Sequence, residues 1–451
     1  MKKLLDETAG RAAQYLSSLP DRSVVPASAA IAALDQLGGP LPDTPTDPAQ
    51  VLALLDKIGS PATVATAGPC YFGFVIGGTL PAALAANWLA GAWDQNGAMQ
   101  AMSPIAAKLE EIVLQWTIDL LSLPAGAGAG FVTGTTMASF TALAAARTTL
   151  LARTGWNVEE DGLFGAPPIN VVVGNEVHVS LLKALSLLGL GRSRVTRVPV
   201  DHQGRMRPDA LPSLDERTLL CIQAGNVNTG AFDPAEEICA RARDANSWLH
   251  VDGAFGLWAA LSPQYAPLLA GFDTADSWAI DCHKWLNVPY DSGLAVVREP
   301  RHLQAAMAIS AAYLAPSDNR EPWHYVPESS RRARAIELWA AMRSLGRSGL
   351  RELIERNCRQ ARLFAQILGD AGFTILNEVV LNQVLVSFGT PKQTRDVISA
   401  IQKDGTCWCG GTEWQGITAM RISVSSWATT DEDVKRSADA MIRIAKQIMS
   451  I

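Results

Sequence analysis

Two periods of apolar residues organise this chain of 451 residues. Between residues 61 and 315, short runs rich in Val and Ile alternate with longer stretches in which apolar residues recur every three or four positions. INVVVGNEVHVS, RTLLCIQAG, SWLHVDGAF, DSWAIDCHK and DSGLAVVRE are the strand candidates, and the helical patterns between some of them predict a mostly parallel sheet. Parallel neighbours need a crossover, and a helix is the usual one. The fold class expected is α/β.

The flanks read differently. Residues 1–60 form a helical arm: the amphipathic MKKLLDETAGRAAQYL, a proline-rich loop, then a short helix at AQVLALLDKIG. Residues 316–330, aperiodic and broken by prolines, mark a boundary and a mobile loop. From residue 331 helical spacing resumes, with a bend expected near Gly346 to Gly349. Strand-like FTILNEVVLNQVLVSF, helical TRDVISAIQKDG and strand-like AMRISVSSW follow, and the capping pair Thr430 and Asp433 opens a last helix. Residues 331–451 thus read as a second, smaller α/β domain.

Composition narrows the functional classes. With 48% hydrophobic and 18% charged residues the chain can bury a large core and is not of disordered type. A net charge of -6 without long single-sign runs gives no basic surface for nucleic acid or an anionic membrane. Residues 58–93 lack Asp, Glu, Lys and Arg, yet Pro61, Pro69, Pro81 and six glycines interrupt them before any apolar helix of about 20 residues can form. This stretch reads as buried or subunit-interface structure. Asp6, Glu7 and Arg11 break the opening segment before a signal-peptide core. Of seven scattered cysteines, Cys407 and Cys409 form a C-x-C pair with no second pair at zinc-ligand spacing, so no metal site and a reducing, cytoplasmic compartment are expected.

Lys284 raises the sharpest chemical question, because it follows the apolar run Trp278-Ala279-Ile280 and precedes Trp285-Leu286. It is either a lysine that ends a strand and reaches water or a Schiff-base lysine, which works best when desolvated. Asp252 ends another buried-looking strand, as a cap or as a ligand-facing carboxylate at the carboxyl edge of an open sheet. Together the two suit pyridoxal phosphate, which takes a lysine on its aldehyde and a carboxylate beside its ring nitrogen. Gly134, Thr135 and Thr136 precede an alanine-rich helix and serve either as an ordinary cap or as a phosphate seat. His178, between a strand and a helix, is either a cap or core histidine or a ring that stacks on a cofactor.

In order along the chain, GTT…AAR, NEVHVSLLKA, NVNTGAFDP, HVDGAFG and DCHKW resemble the group II pyridoxal-phosphate-dependent amino-acid decarboxylases, which include the aromatic-amino-acid and tyrosine decarboxylases. The resemblance runs from about residue 60 to the C-terminus. It implies fold type I, like aspartate aminotransferase, and a homodimer with active sites at the subunit interface. It also implies roles: Lys284 as the Schiff-base lysine, Asp252 on the ring nitrogen, His178 stacked on the ring. Thr135, Thr136 and His283 would hold the phosphate, and Asn226 and Ala254 would border the ring.

Departures from the family pattern concern the substrate side. Gly68-Pro69-Cys70-Tyr71-Phe72 stands where relatives often have His-Pro before an aromatic pair. Ala98 stands where aromatic-substrate relatives usually carry phenylalanine, which implies a wider pocket. Tyr71, Phe72, Trp93 and Ala98 point to an apolar or aromatic substrate side chain. A loop tyrosine protonates the carbanion in aromatic decarboxylases; Tyr325 is the candidate here, displaced from the family position, with His324 as its alternative. The activity expected is decarboxylation of an L-amino acid to the amine. The alternatives are an oxidative aldehyde synthase, or a carbon–carbon lyase acting on a β-hydroxy amino acid.

Overall fold

The computed structural model describes residues 1–309 and 320–449. The end of the expected large domain, 310–315, and the start of the expected mobile loop, 316–319, lie outside the described residues. The chain divides into two compact units: one comprises Thr79–Arg362 and Asn377–Val384, the other Met1–Gly78, Leu363–Leu376 and the segment from Leu385 onward. One boundary therefore falls inside the helix Ala335–Asp370, rather than ahead of it at residue 331.

A seven-stranded sheet organises the first unit. Its strands are β1 (Gly128–Val132), β2 (Asn170–Gly174), β3 (Thr196–Val198), β4 (Thr218–Gln223), β5 (Trp248–Asp252), β6 (Ser277–Asp281) and β7 (Gly293–Val297), in the spatial order β1-β7-β6-β5-β4-β2-β3. Strands β3, β2, β4, β5 and β6 pair in parallel, while β7 runs antiparallel to both β6 and β1. All five strand candidates of this region form strands. The pattern missed β1 and β3: β1 is Gly-Ala-Gly-Phe-Val, with too little apolar side chain to stand out, and β3 has three residues.

Helix Thr135–Arg153 packs on this sheet through Ala138, Ala142, Ala145 and Ala146, all completely buried. Alanine is the best helix former, and its small side chain lets a helix lie close to a sheet. Leu143 and Leu150 on the same helix are also fully buried, each stabilising the fold by about 1.5–3 kcal/mol. This helix starts immediately after β1, so its N-terminus lies at the carboxyl edge of the sheet, where β5 and β6 also end. Open α/β sheets bind ligands at that edge.

The second unit contains the helical arm Lys2–Ser18 and most of a four-stranded sheet, β10-β11-β9-β8, built from β8 (Thr374–Ile375), β9 (Gln383–Ser387), β10 (Gly410–Trp414) and β11 (Ile417–Ser423). Helix Pro391–Asp404 follows β9, and Asp431–Met449 ends the described chain. The expected cap is present, with Thr430 N–H donating to Asp433 Oδ2 at 3.0 Å and Asp433 N–H to Thr430 Oγ1 at 3.2 Å. The bend expected near Gly346 is also found: that residue leaves helical geometry at φ 60, ψ -177. No described helix is long and apolar enough to cross a membrane.

Candidate active site

A cavity of about 280 Å³ opens at the carboxyl edge of the sheet, lined among others by Gly134, Thr135, Thr136, His178, His283 and Lys284. Each reaches it from a strand end or helix start. Lys284 and His283 follow β6, the threonines open the helix after β1, and His178 caps the helix Val179–Leu187 after β2. His178 keeps both of its readings, because it lines the cavity while its Nδ1 lies 2.7 Å from Ser180 Oγ and accepts the Ser180 N–H at 3.3 Å.

Asp281, the last residue of β6, joins three of these groups. Its carboxylate lies 3.0 Å from Lys284 Nζ and 3.6 Å from His283 Nε2, and accepts the Thr135 N–H at 2.6 Å. Burial acts to raise its pKa, but the Lys284 charge, the neighbouring His283 ring and the Thr135 bond outweigh burial and hold it below the usual carboxylate value. Burial lowers the His283 imidazole, against an upward pull from Asp281. Tyr290 covers His283, their ring centroids 4.4 Å apart. Asp281 belongs to the DCHKW motif, in which the sequence pattern assigns it no role. Its place at a strand end three residues before the lysine is the signal that could have found it.

Asp252 ends β5 between Gln223 of β4 and Ala279 of β6. Its carboxylate Oδ1 accepts the Ala254 N–H at 3.3 Å. Burial raises its pKa, while His178 and Lys284 pull it down, so both act on this carboxylate electrostatically. Ala254 is tied to the site through its carbonyl, which accepts the Asp281 N–H at 3.0 Å.

Steric room at the helix start is set by two glycines. A Cβ on Gly134 would lie 2.9 Å from the His283 ring and 3.1 Å from Asp281, and one on Gly293 of β7 would lie 2.6 Å from Gly134 Cα. Two polar atoms here are buried without a protein partner, Thr135 Oγ1 and His283 Nδ1. Such atoms cost stability unless something hydrogen-bonds them. Together with the amides of a helix N-terminus they make a seat for a small anion.

The remaining candidates have partners of their own. Asn226 is fully engaged in its own turn, its Oδ1 accepting N–H groups from Asn228 at 2.9 Å and Thr229 at 3.3 Å while its Nδ2 donates to Gln223 Oε1 at 3.1 Å. Tyr325, the expected loop proton donor, has close partners within its own chain. It is 6% exposed within the sheet core, its hydroxyl accepts from Gln304 Nε2 at 2.8 Å, and Arg320 lies over its ring at 4.4 Å. His324 stacks at an angle on Trp323 and does not line the cavity. Ala98 is buried, its carbonyl accepting the Trp323 N–H at 3.0 Å, and Trp93 is 44% exposed. Tyr71 and Phe72 belong to the second unit, where Tyr71 stacks on Trp408 at 5.0 Å and Phe72 packs edge-on to Phe364.

The chain is similar to several known proteins. A profile of the pyridoxal-dependent decarboxylase conserved domain matches residues 39–389. Tryptophan decarboxylase 1 of Oryza sativa subsp. japonica is 26% identical over 85% of this chain and 82% of its own. Phenylacetaldehyde synthase of Arabidopsis thaliana is 25% identical over 88% and 86%. Among solved structures, Oryza sativa TDC with PLP and tryptamine superposes with a TM-score of 0.91 over 99% of this chain and 98% of that one, at 22% identity. The fold is therefore that of the type I pyridoxal-phosphate enzymes.

Proposed function

The chain belongs to the pyridoxal-dependent decarboxylases, and on that premise we propose that it removes the α-carboxylate of an L-amino acid with an aromatic or apolar side chain. The products are the amine and carbon dioxide. Its class, a pyridoxal-phosphate-dependent amino-acid decarboxylase, follows from the family match. The side-chain preference is supported by the tryptophan named for one relative.

The observation that carries the reading is the Lys284 amine, placed at a cavity whose other wall is a helix N-terminus with two unpartnered buried donors or acceptors. These residues fit pyridoxal phosphate. Gly134, Thr135, Thr136 and His283 would hold the phosphate, Lys284 would take the aldehyde, His178 would lie against the ring, and Asp252 would hold a proton on the ring nitrogen. When bound, the cofactor supplies a ring that accepts the electron pair of the breaking Cα–carboxylate bond. A ring-nitrogen cation would also oppose the burial that raises Asp252, so the carboxylate would stay ionised where it is needed. Asn226 and Ala254 stand near the same strand ends, as supports of the turn and of Asp252.

A second outcome, oxidative formation of an aldehyde, is supported by one observation, a relative named phenylacetaldehyde synthase. One experiment separates them. The purified protein is incubated with a panel of amino acids, and carbon dioxide, ammonia and hydrogen peroxide are measured together. Carbon dioxide alone supports simple decarboxylation; all three support the synthase; none, from a protein that carries the cofactor, overturns both.

The working form is inferred to be a homodimer. Helix Pro81–Trp93 carries no charged residue and leaves Trp88, Leu89 and Trp93 each more than two-fifths exposed, a face that a second copy would cover. A reducing, cytoplasmic setting is supported by seven unpaired cysteines.

A further inference from the structure

We propose that Asp281 is a positioning residue which makes occupancy of the phosphate seat proton-linked, with His283 taking up the proton. The inference rests on the reading of Gly134–Thr136 as an anion seat and adds a charge rule to it. A seat for a doubly charged anion is here built against a buried carboxylate, which is 3% exposed and already holds the Thr135 N–H at 2.6 Å. An incoming anion would share the Thr135 turn with that carboxylate. Two like charges at such range in a poorly solvated site repel strongly unless a positive charge enters with them.

Lys284 supplies one such charge, but at 3.0 Å it is already matched to Asp281, so an incoming anion needs another. The remaining group is His283. Its Nε2 lies 3.6 Å from Asp281 and its buried Nδ1 has no protein partner, so the ring has a free nitrogen with which to hold a proton or meet an anion. The other groups acting on this imidazole are Lys284 beside it, which lowers its pKa, and the Ser292 carbonyl and Asp291, which raise it, while the Tyr290 ring covers it. The first turn of helix Thr135–Arg153 contributes no charge. Burial keeps the imidazole neutral in the empty site, as its lowered pKa agrees, and a second anion beside Asp281 reverses that balance.

Sulfate is the probe, because it is a dianion that does not itself titrate near neutrality. The full chain, freed of vitamin B6, is titrated with sulfate by calorimetry at about pH 8 in two buffers of different ionisation heat, which gives the protons taken up per anion bound. The parent protein is expected to take up about one proton, with affinity weakening as pH rises. Asp281→Asn keeps a side-chain oxygen for the Thr135 N–H but removes the charge. It is expected to bind sulfate at least about tenfold more tightly at that pH and to take up clearly less than the parent's proton. His283→Gln is expected to take up none. Equal affinity and equal proton count in parent and Asp281→Asn overturns the proposal, as does an undiminished count in His283→Gln. Covalent capture of pyridoxal phosphate at Lys284, followed by its absorbance and by borohydride trapping, tests the cofactor reading separately: capture without proton-linked sulfate binding sinks only the present inference.

Discussion

Glu110 and Arg331 form a buried ion pair, Arg331 donating to Glu110 Oε1 at 2.5 Å with side chains 1% and 0% exposed. Arg320 adds a second contact to Glu110 Oε2 at 3.1 Å, and the two arginines also hold the carbonyls of Ala129 at 2.5 Å and Phe131 at 3.1 Å on β1. The pair thus fastens the segment that begins at Arg320 to the strand that leads into the Gly134–Thr136 turn. Glu110→Gln leaves two guanidinium groups short of their counter-charge. It is expected to destabilise the protein by about 3–5 kcal/mol, measured by denaturant unfolding; a loss under about 1 kcal/mol would show the pair to be energetically idle.

Gly293→Ala tests the seat from below. Its new Cβ would press on the Gly134 backbone, which has no flexible end to move aside. The expected result is a stability loss on the order of 1–3 kcal/mol, with pyridoxal phosphate released during gel filtration that the parent survives. Full retention of the cofactor would mean that the turn can shift without cost.

Asp252→Ala separates chemistry from binding. The phosphate seat and Lys284 remain, so cofactor should still be captured, while kcat falls by about a hundredfold to a thousandfold for want of a group that holds the ring-nitrogen proton. Decarboxylation at the parental rate would disprove the role given to this carboxylate.

His250 predicts a pH dependence of stability. It sits two residues before Asp252 on β5, with no exposed surface, its Nδ1 2.9 Å from Ser277 Oγ and its Nε2 unpartnered. Burial pushes its pKa down to about 3 from 6.5. The unfolded chain therefore binds a proton below pH 6.5 that the folded chain refuses until pH about 3. Its share of stability is complete above 6.5 and is lost as pH falls across that window, by about 1.4 kcal/mol per unit. Unfolding free energies of the parent and of His250→Asn, measured from about pH 7 down to about pH 5, should converge with that slope. Parallel curves would show that the imidazole protonates in the fold.

Leu89→Asp places a charge on the uncharged helix Pro81–Trp93. If that face is the subunit interface, sedimentation should show a shift from dimer to monomer and activity should fall with it. An unaltered dimer would move the interface elsewhere.

What the sequence determined by itself was the part of the protein written in local patterns. β2, β4, β5, β6 and β7 were legible because fully buried strands need runs of Val, Ile, Leu and Trp; Thr430 with Asp433 was legible because a cap is made within four residues. The five ordered motifs were legible for the same reason: Lys284 and His283 lie just past the end of β6, and Asp252 is the last residue of β5. Tertiary structure alone decided what depends on distant strands meeting. Asp281 became a partner of Thr135, 146 residues away, only through the order of β1, β7 and β6. Tyr325 became a core residue only because Gln304 and Arg320 close on it. A side chain's type is carried in one position of the chain, whereas its charge environment and burial are set by neighbours that folding brings from elsewhere.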